Sequence, residues 1–150
     1  MSDNVEIRLI RYNELRKLLN LYVHFENGDP VLEDSDFLVK MWDDIFNTPN
    51  FHYIVADKDG ELVSTCNITI IKNLTRNARP YGIVENVVTH KDHRNKGYGK
   101  MVLKKAVEIA REHNCYKVML LTSSTKEETH KFYESAGFSK GIKTGFVMKL

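Results

Sequence analysis

Cysteine is scarce: Cys66 and Cys115 are the only two in 150 residues, and neither has a second within three positions. They can write neither a zinc knuckle nor a disulfide framework, and a reducing cytosolic compartment is the expectation. Proline is scarce too. Pro30, Pro49 and Pro80 stand singly, and no stretch rich in Pro, Gly or Ser offers a linker, so one domain over residues 1–150 is expected. Charge of one sign is lacking, with 22 Lys and Arg against 20 Asp and Glu and a formal excess of only +2. That excludes a surface built to coat nucleic acid, and any anionic ligand must be met by local charge. Long apolar runs are missing as well: residues 62–71 are among the longest uncharged stretches, against the about 20 residues a membrane span needs. Asp3, Glu6, Arg8, Arg11 and Glu14 interrupt the apolar residues at the start, so no signal peptide is read there. A cytoplasmic protein without nucleic-acid or membrane partners is expected.

What the sequence does contain is clear periodicity. Val5, Ile7 and Leu9 alternate with Glu6 and Arg8 as in a strand, and Asn13 then caps a helical run with Leu15, Leu18, Leu19 and Tyr22. A second helix, capped by Asp34 or Ser35, carries Leu38, Met41, Trp42, Ile45 and Phe46 and stops at Pro49. Residues 51–56 and 61–71 read as a hairpin joined by Asp57-Lys58-Asp59-Gly60, and 72–79 as a polar loop. The strand 81–89 includes Val87-Val88, which suggests burial on both faces at the sheet centre. Helical spacing resumes from Gly97 to Asn114, a short buried strand follows at 117–121, and Ser124 or Thr125 caps a helix carrying Phe132, Tyr133 and Ala136 that Gly137 ends. A last strand is expected over about 142–148. The class is α/β: a central mixed sheet flanked by about four helices.

The chemistry concentrates where the strand 81–89 runs into a basic, glycine-bearing turn. Val87, Val88 and Thr89 lead through His90-Lys91-Asp92-His93 to Arg94-Asn95-Lys96-Gly97-Tyr98-Gly99-Lys100, where a helix opens. Glycines let the main chain approach a ligand, and the first N–H groups of a helix are unpaired at the positive end of its dipole, an arrangement that cradles a pyrophosphate. The same two glycines also permit a tight strand-to-helix turn with no ligand at all. No Gly-Lys-Ser or Gly-Lys-Thr follows and the three-glycine dinucleotide spacing is missing, which argues against ATP and NAD. His90 and His93 lack a third ligand, so no metal is expected.

Arg94-Asn95-Lys96-Gly97-Tyr98-Gly99 resembles the acetyl-CoA pyrophosphate motif of the GNAT acetyltransferase superfamily: Arg or Gln, two residues, Gly, one residue, then Gly or Ala. About thirty residues on, His130-Lys131-Phe132-Tyr133-Glu134-Ser135-Ala136-Gly137-Phe138 is similar to the aromatic-Tyr-Glu-x-x-Gly-Phe signature of that superfamily's helix after the fifth strand. The resemblance covers nearly the whole chain, loosely before Gly60 and closely from Val84 to Phe138, and it departs at Lys126 and Thr129, where many relatives place Asn and Ala. It implies a GNAT fold and an N-acetyltransferase with acetyl-CoA as co-substrate and no metal, acting by direct attack of a small-molecule primary amine. A peptide acceptor, or a non-catalytic acyl-CoA sensor, is the alternative, and the resemblance allows a homodimer. It further implies that main-chain groups near Val87, Val88 and Thr89 hold the pantetheine where the fourth strand bulges away from the fifth. Arg94 to Lys100 would hold the pyrophosphate, and Tyr133 would protonate the departing thiolate.

Acetyl transfer to an amine also needs a base, because an alkyl ammonium with a pKa of about 10.4 must lose its proton before it attacks. Glu85 has the strand parity of Val87 and Thr89 and is expected on the same side as they are. A carboxylate inside a strand is costly unless used, paired or wet, so Glu85 is either that base, directly or through water, or half of a buried salt bridge. His130, one turn before Tyr133, offers a proton relay. Tyr22, His24, Phe25, Glu26, Asp29 and Trp42 flank the first inter-helix loop, which in the resembled family walls the acceptor site. Lys72, Arg76 and Arg79 form a small basic cluster, a solvated face or a contact for an anionic group on the acceptor.

Overall fold

The computed structural model describes residues 4–26 and 28–150. Strand β1 (Val5–Leu9) leads through a 3-10 turn (Tyr12–Glu14) to α1 (Leu15–Tyr22), and α2 (Asp36–Phe46) follows. The hairpin β2 (Phe51–Lys58) and β3 (Glu61–Ile71) precedes a single turn α3 (Thr75–Ala78), in which Arg76 and Asn77 are left-handed. Then come β4 (Tyr81–Thr89), a 3-10 turn (Lys91–His93), α4 (Tyr98–Glu112), β5 (Val118–Met119) and α5 (Glu127–Ser135). The five strands lie in the order β1-β2-β3-β4-β5, antiparallel except for the parallel pair β4–β5, which makes the sheet mixed. The four expected helices are all present.

Two cores hold the layers together. On one face Val102, Leu103 and Ala106 of α4, all fully buried, pack on Ile54, Cys66 and Ile68, and Phe132 and Tyr133 of α5 close the margin. On the other, Leu18 and Leu21 of α1 and Trp42 of α2 cover Val55, Leu62 and Val88. Each such buried aliphatic side chain contributes about 1.5–3 kcal/mol. The central strand is β3, buried from Leu62 to Ile68, and not β4 as its valine pair suggests. Beyond β4 stands only the two-residue β5, so Val87 stays half-buried.

Local reasons account for the remaining differences. Asn13 lies inside the 3-10 turn and Glu14 precedes α1 instead, because the Glu14 carboxylate is held by the Arg8 guanidinium at 2.7 and 2.8 Å and by the Arg11 N–H at 2.8 Å. Arg8 also donates to Asp57 at 2.7 Å and so ties β1 and β2 to the start of α1. Ser35 caps α2, accepting from the Leu38 N–H. Lys126, not Ser124 or Thr125, occupies the cap of α5, since the Ser124 hydroxyl is committed to Thr129 and accepts the Lys126 N–H. Gly137, at φ +99°, closes α5 with the paired bonds Phe138 N–H to Tyr133 O and Gly137 N–H to Glu134 O. The expected strand over 142–148 does not form. A strand exists only with a partner, β5 is too short to offer a ladder, and Phe146, Val147 and Met148 remain exposed.

Candidate active site

The site begins at an irregularity in β4. Thr65 pairs with Val88 and Asn67 with Glu85, so three residue steps on β4 oppose two on β3, and the extra residue is absorbed at Asn86, at φ +53°. Asn tolerates this left-handed geometry better than most residues. The bulge reverses the alternation. Val84 packs toward α4, whereas Val88, of the same parity, packs toward α1 and α2. Val87 and Thr89 therefore lie on the α4 face, and Glu85 shares the opposite face with its cross-strand partner Asn67. Simple alternation, which puts Glu85 on one side with Val87 and Thr89, fails here because of one inserted residue.

Below the bulge β4 also parts from β5. Their pairing is limited to Gly82 with Val118 and Ile83 with Met119. A cleft of about 930 Å³ opens between these strands, α5 and the chain after Gly137, and Glu85, His130 and Tyr133 are among its lining residues. Tyr133 is half-buried, and burial first, then the Cys66 thiol and the Glu85 carboxylate, hold its phenol above the usual tyrosine range. It is a protonated donor at neutral pH. His130 is not placed as a relay: its Nε2 lies 2.8 Å from the Ser124 carbonyl and ties down the loop before α5.

Above the bulge the chain enters α4 through Asn95 (φ +60°) and Gly97 (φ +85°). Gly97 has no side-chain cap to offer, and nothing lies within 4 Å of where its Cβ would stand, so the N-terminus of a fifteen-residue helix faces open space. Gly99 has a different reason to be glycine. It is buried, and a Cβ there would lie 3.0 Å from the Phe132 ring and 3.3 Å from the Thr89 hydroxyl. Lys96 and Lys100 are exposed beside this end. Arg94 turns away from it, donating to the His24 carbonyl at 2.8 Å and the Thr89 carbonyl at 3.3 Å. The His24 ring lies against His90, tilted by 44° with the ring centres 4.0 Å apart, and Lys126 pairs with Glu26, so the residues after α1 are braced against both the turn and α5. The pKa of His24 is lowered, chiefly by burial, with His90, Lys91 and Arg94 adding to the effect.

Arg79 donates to the Asn114 and Cys115 carbonyls and Arg76 lies over the Tyr116 ring, at the start of β4. Tyr81, the first residue of β4, is about 13 Å along the strand from Glu85 at about 3.3 Å per residue. Among the described residues no group of three His, Cys, Asp or Glu side chains could hold a metal ion. None of the described helices is long and apolar enough to cross a membrane. Two polar residues near Glu85, Tyr53 and Asn67, went unread in the sequence; an Asn at the middle of the β-branched run 62–71 was the available signal.

A split β4–β5 pair beside an open helix N-terminus can be compared with known proteins. Residues 13–138 match the Acetyltransferase (GNAT) family. The chain belongs to that family. Glucosamine 6-phosphate N-acetyltransferase of Arabidopsis thaliana is 33% identical over 144 residues, 93% of each chain. The enzyme of that name from Trypanosoma brucei brucei is 37% identical over 79 residues, 53% of this chain and 52% of its own length. A solved structure from Agrobacterium tumefaciens str. C58, 39% identical, superimposes with TM-score 0.90 over 97% of this chain and 99% of that one. The chain is thus similar in sequence to enzymes of amino-sugar acetylation and has the GNAT acetyltransferase fold.

Proposed function

We propose that this GNAT acetyltransferase moves the acetyl group of acetyl-CoA to the primary amine of a small molecule by direct attack, and that glucosamine 6-phosphate is the acceptor to test first. The observation that carries the reading is the parting of β4 from β5, with Glu85 and Tyr133 on the cleft between them, and the open N-terminus of α4 that follows β4 in the chain. The names of the relatives support the acceptor. The groups present suit acetyl-CoA. Main-chain groups of Val87, Val88 and Thr89, freed on the side where β5 departs, would hold the pantetheine arm. The turn from Arg94 to Lys100 would take the pyrophosphate at the positive end of the helix, with Lys96 and Lys100 adding charge. Arg94 serves by bracing this turn, since its guanidinium is already engaged.

In this scheme Glu85, directly or through one water, takes the proton that the ammonium must lose. The amine nitrogen then bonds to the thioester carbonyl carbon, the C–S bond breaks, and Tyr133 gives its proton to the departing thiolate. The test is release of free thiol from acetyl-CoA by the purified chain with glucosamine 6-phosphate, glucosamine, other small amines and basic peptides. Release that depends on a small amine is the expected result. Preference for the peptides over every small amine overturns the acceptor class, and acetyl-CoA binding without thiol release from any amine leaves a sensor.

A further inference from the structure

On the sheet face that carries α1 and α2, three polar side chains stand in one cross-strand row. Tyr53 of β2 pairs with Asn67 of β3, and Asn67 pairs with Glu85 of β4. Directly paired residues share a face and stand within reach of one another. The rows on either side differ. Val55, Thr65 and Val88 form one of them under α1, where the Thr65 hydroxyl is turned back onto the Ile54 carbonyl; Phe51, Thr69 and Ile83 form the other. The polar row therefore marks the margin of the roof formed by α1 and α2. Trp42 meets Tyr53 edge-on at 5.9 Å and Phe51 stacks on it at 5.6 Å.

Asn67 is only 2% exposed. A buried carboxamide is costly unless hydrogen-bonded, so its partner shows what it is for. Its direct cross-strand neighbour is Tyr53, whose phenol burial pushes above the usual tyrosine range while hydrogen bonding with Asn67 draws it back. With its oxygen so engaged, the phenol has its own proton left to give. Burial also holds the Tyr22 phenol well above its ordinary range, with Tyr53 the next contribution. Neighbouring strands lie about 4.8 Å apart, so the Tyr53 and Glu85 backbones are separated by roughly 10 Å. One sugar-sized molecule spans that distance, with an amine at one end and a hydroxyl at the other.

We propose that the row Tyr53–Asn67–Glu85 is the seat of the acceptor, a hydroxylated primary amine of about the size of one hexosamine. This rests on the acetyl-transfer reading above. The amine lies at Glu85, Tyr53 donates to a hydroxyl or ring oxygen, and Asn67 is a positioning residue that fixes Tyr53 as the donor. The test is steady-state kinetics with glucosamine 6-phosphate and glucosamine as hydroxylated probes and cyclohexylamine as the amine without hydroxyls. Tyr53→Phe keeps the ring contacts and should raise KM for the hydroxylated probes about tenfold, as loss of one hydrogen bond to a polar substrate group does. Its KM for acetyl-CoA and for cyclohexylamine should stay within about twofold. Asn67→Asp should reproduce the effect, because a carboxylate there claims the phenol proton, and the double variant should be no worse than either single one.

A lowered melting temperature with every KM unmoved in Tyr53→Phe overturns the seat and returns the row to structure. If Asn67→Asp does not fold, Tyr53→Phe decides alone. Wild-type turnover confined to amines without hydroxyls overturns the acceptor class but keeps acetyl transfer. Wild-type protein that releases no thiol with any amine overturns both.

Discussion

Tyr133 and Glu85 divide the proton traffic of the proposed reaction, and their environments suit different halves of it. The half-buried phenol stays protonated, while the exposed carboxylate can accept. Tyr133→Phe should lower kcat by about 10² to 10⁴ with acetyl-CoA affinity retained, since a general acid matters as the thiolate forms. A kcat within about threefold of the parent, with chemistry limiting, assigns Tyr133 to packing alone. Glu85→Gln should reduce kcat/KM by roughly 10² and remove the acidic limb of the pH–rate profile; an unchanged profile makes Glu85 structural. Both residues were picked out in the sequence, Tyr133 by the aromatic-Tyr-Glu signature and Glu85 as a carboxylate inside the strand 81–89. Tyr53 and Asn67 were not, since only strand register brings them beside Glu85. The true face of Glu85 was hidden as well, because nothing in the strand 81–89 announces the extra residue at Asn86 except an Asn in a β-rich run.

The elements that carry these residues depend on small details at their ends. Gly97 and Gly99 look equivalent in the motif, yet one supplies a positive φ at an open surface and the other makes room between α4 and α5. Gly97→Val should weaken acetyl-CoA binding in calorimetry while the protein stays folded; equal affinity would remove the pyrophosphate from this turn. Gly99→Val should overpack against Phe132 and cost about 1–3 kcal/mol, seen as a melting temperature lower by roughly 3–10 °C. The ion pairs of Arg8 fasten another joint. Glu14 is held down to about 2, by the Arg8 guanidinium first and against the opposing effect of burial, with the Arg11 N–H and charge assisting. Its folded pKa lies below the unfolded value, so the unfolded chain binds more protons and the stabilisation is full above about pH 4.5 and lost as pH falls toward 2. Glu14→Gln should lower the melting temperature at pH 7 by about 10 °C, from the roughly 3 kcal/mol lost when one partner of a buried pair is removed. Its acid unfolding should be the shallower of the two; parallel acid curves would show that Glu14 contributes little.

Across the whole molecule, alternation and helical spacing revealed the five strands and the helices α1, α2, α4 and α5, because each sets an apolar side against a neighbour; the single turn α3, which buries no residue, read as loop. They misread the chain beyond Gly137. Apolar alternation reports that a segment is competent to pair, not that a partner is present. Ile142, Phe146, Val147 and Met148 are 76 to 91% exposed beside β5, the last strand of the sheet. Exposed apolar side chains next to a sheet edge mark an association surface. We expect a homodimer in analytical ultracentrifugation and a monomer when the chain is cut after Ser139; an intact chain that stays monomeric would rule this out. The extra residue in β4 also governs how the two substrates of the proposed reaction can meet. It lets one strand address both sides of the sheet, so donor and acceptor reach the seam from opposite directions and neither blocks the other's entrance. Both are then resident when the acetyl group moves, double-reciprocal plots intersect instead of running parallel, and a CoA analogue competes with acetyl-CoA but not with the amine.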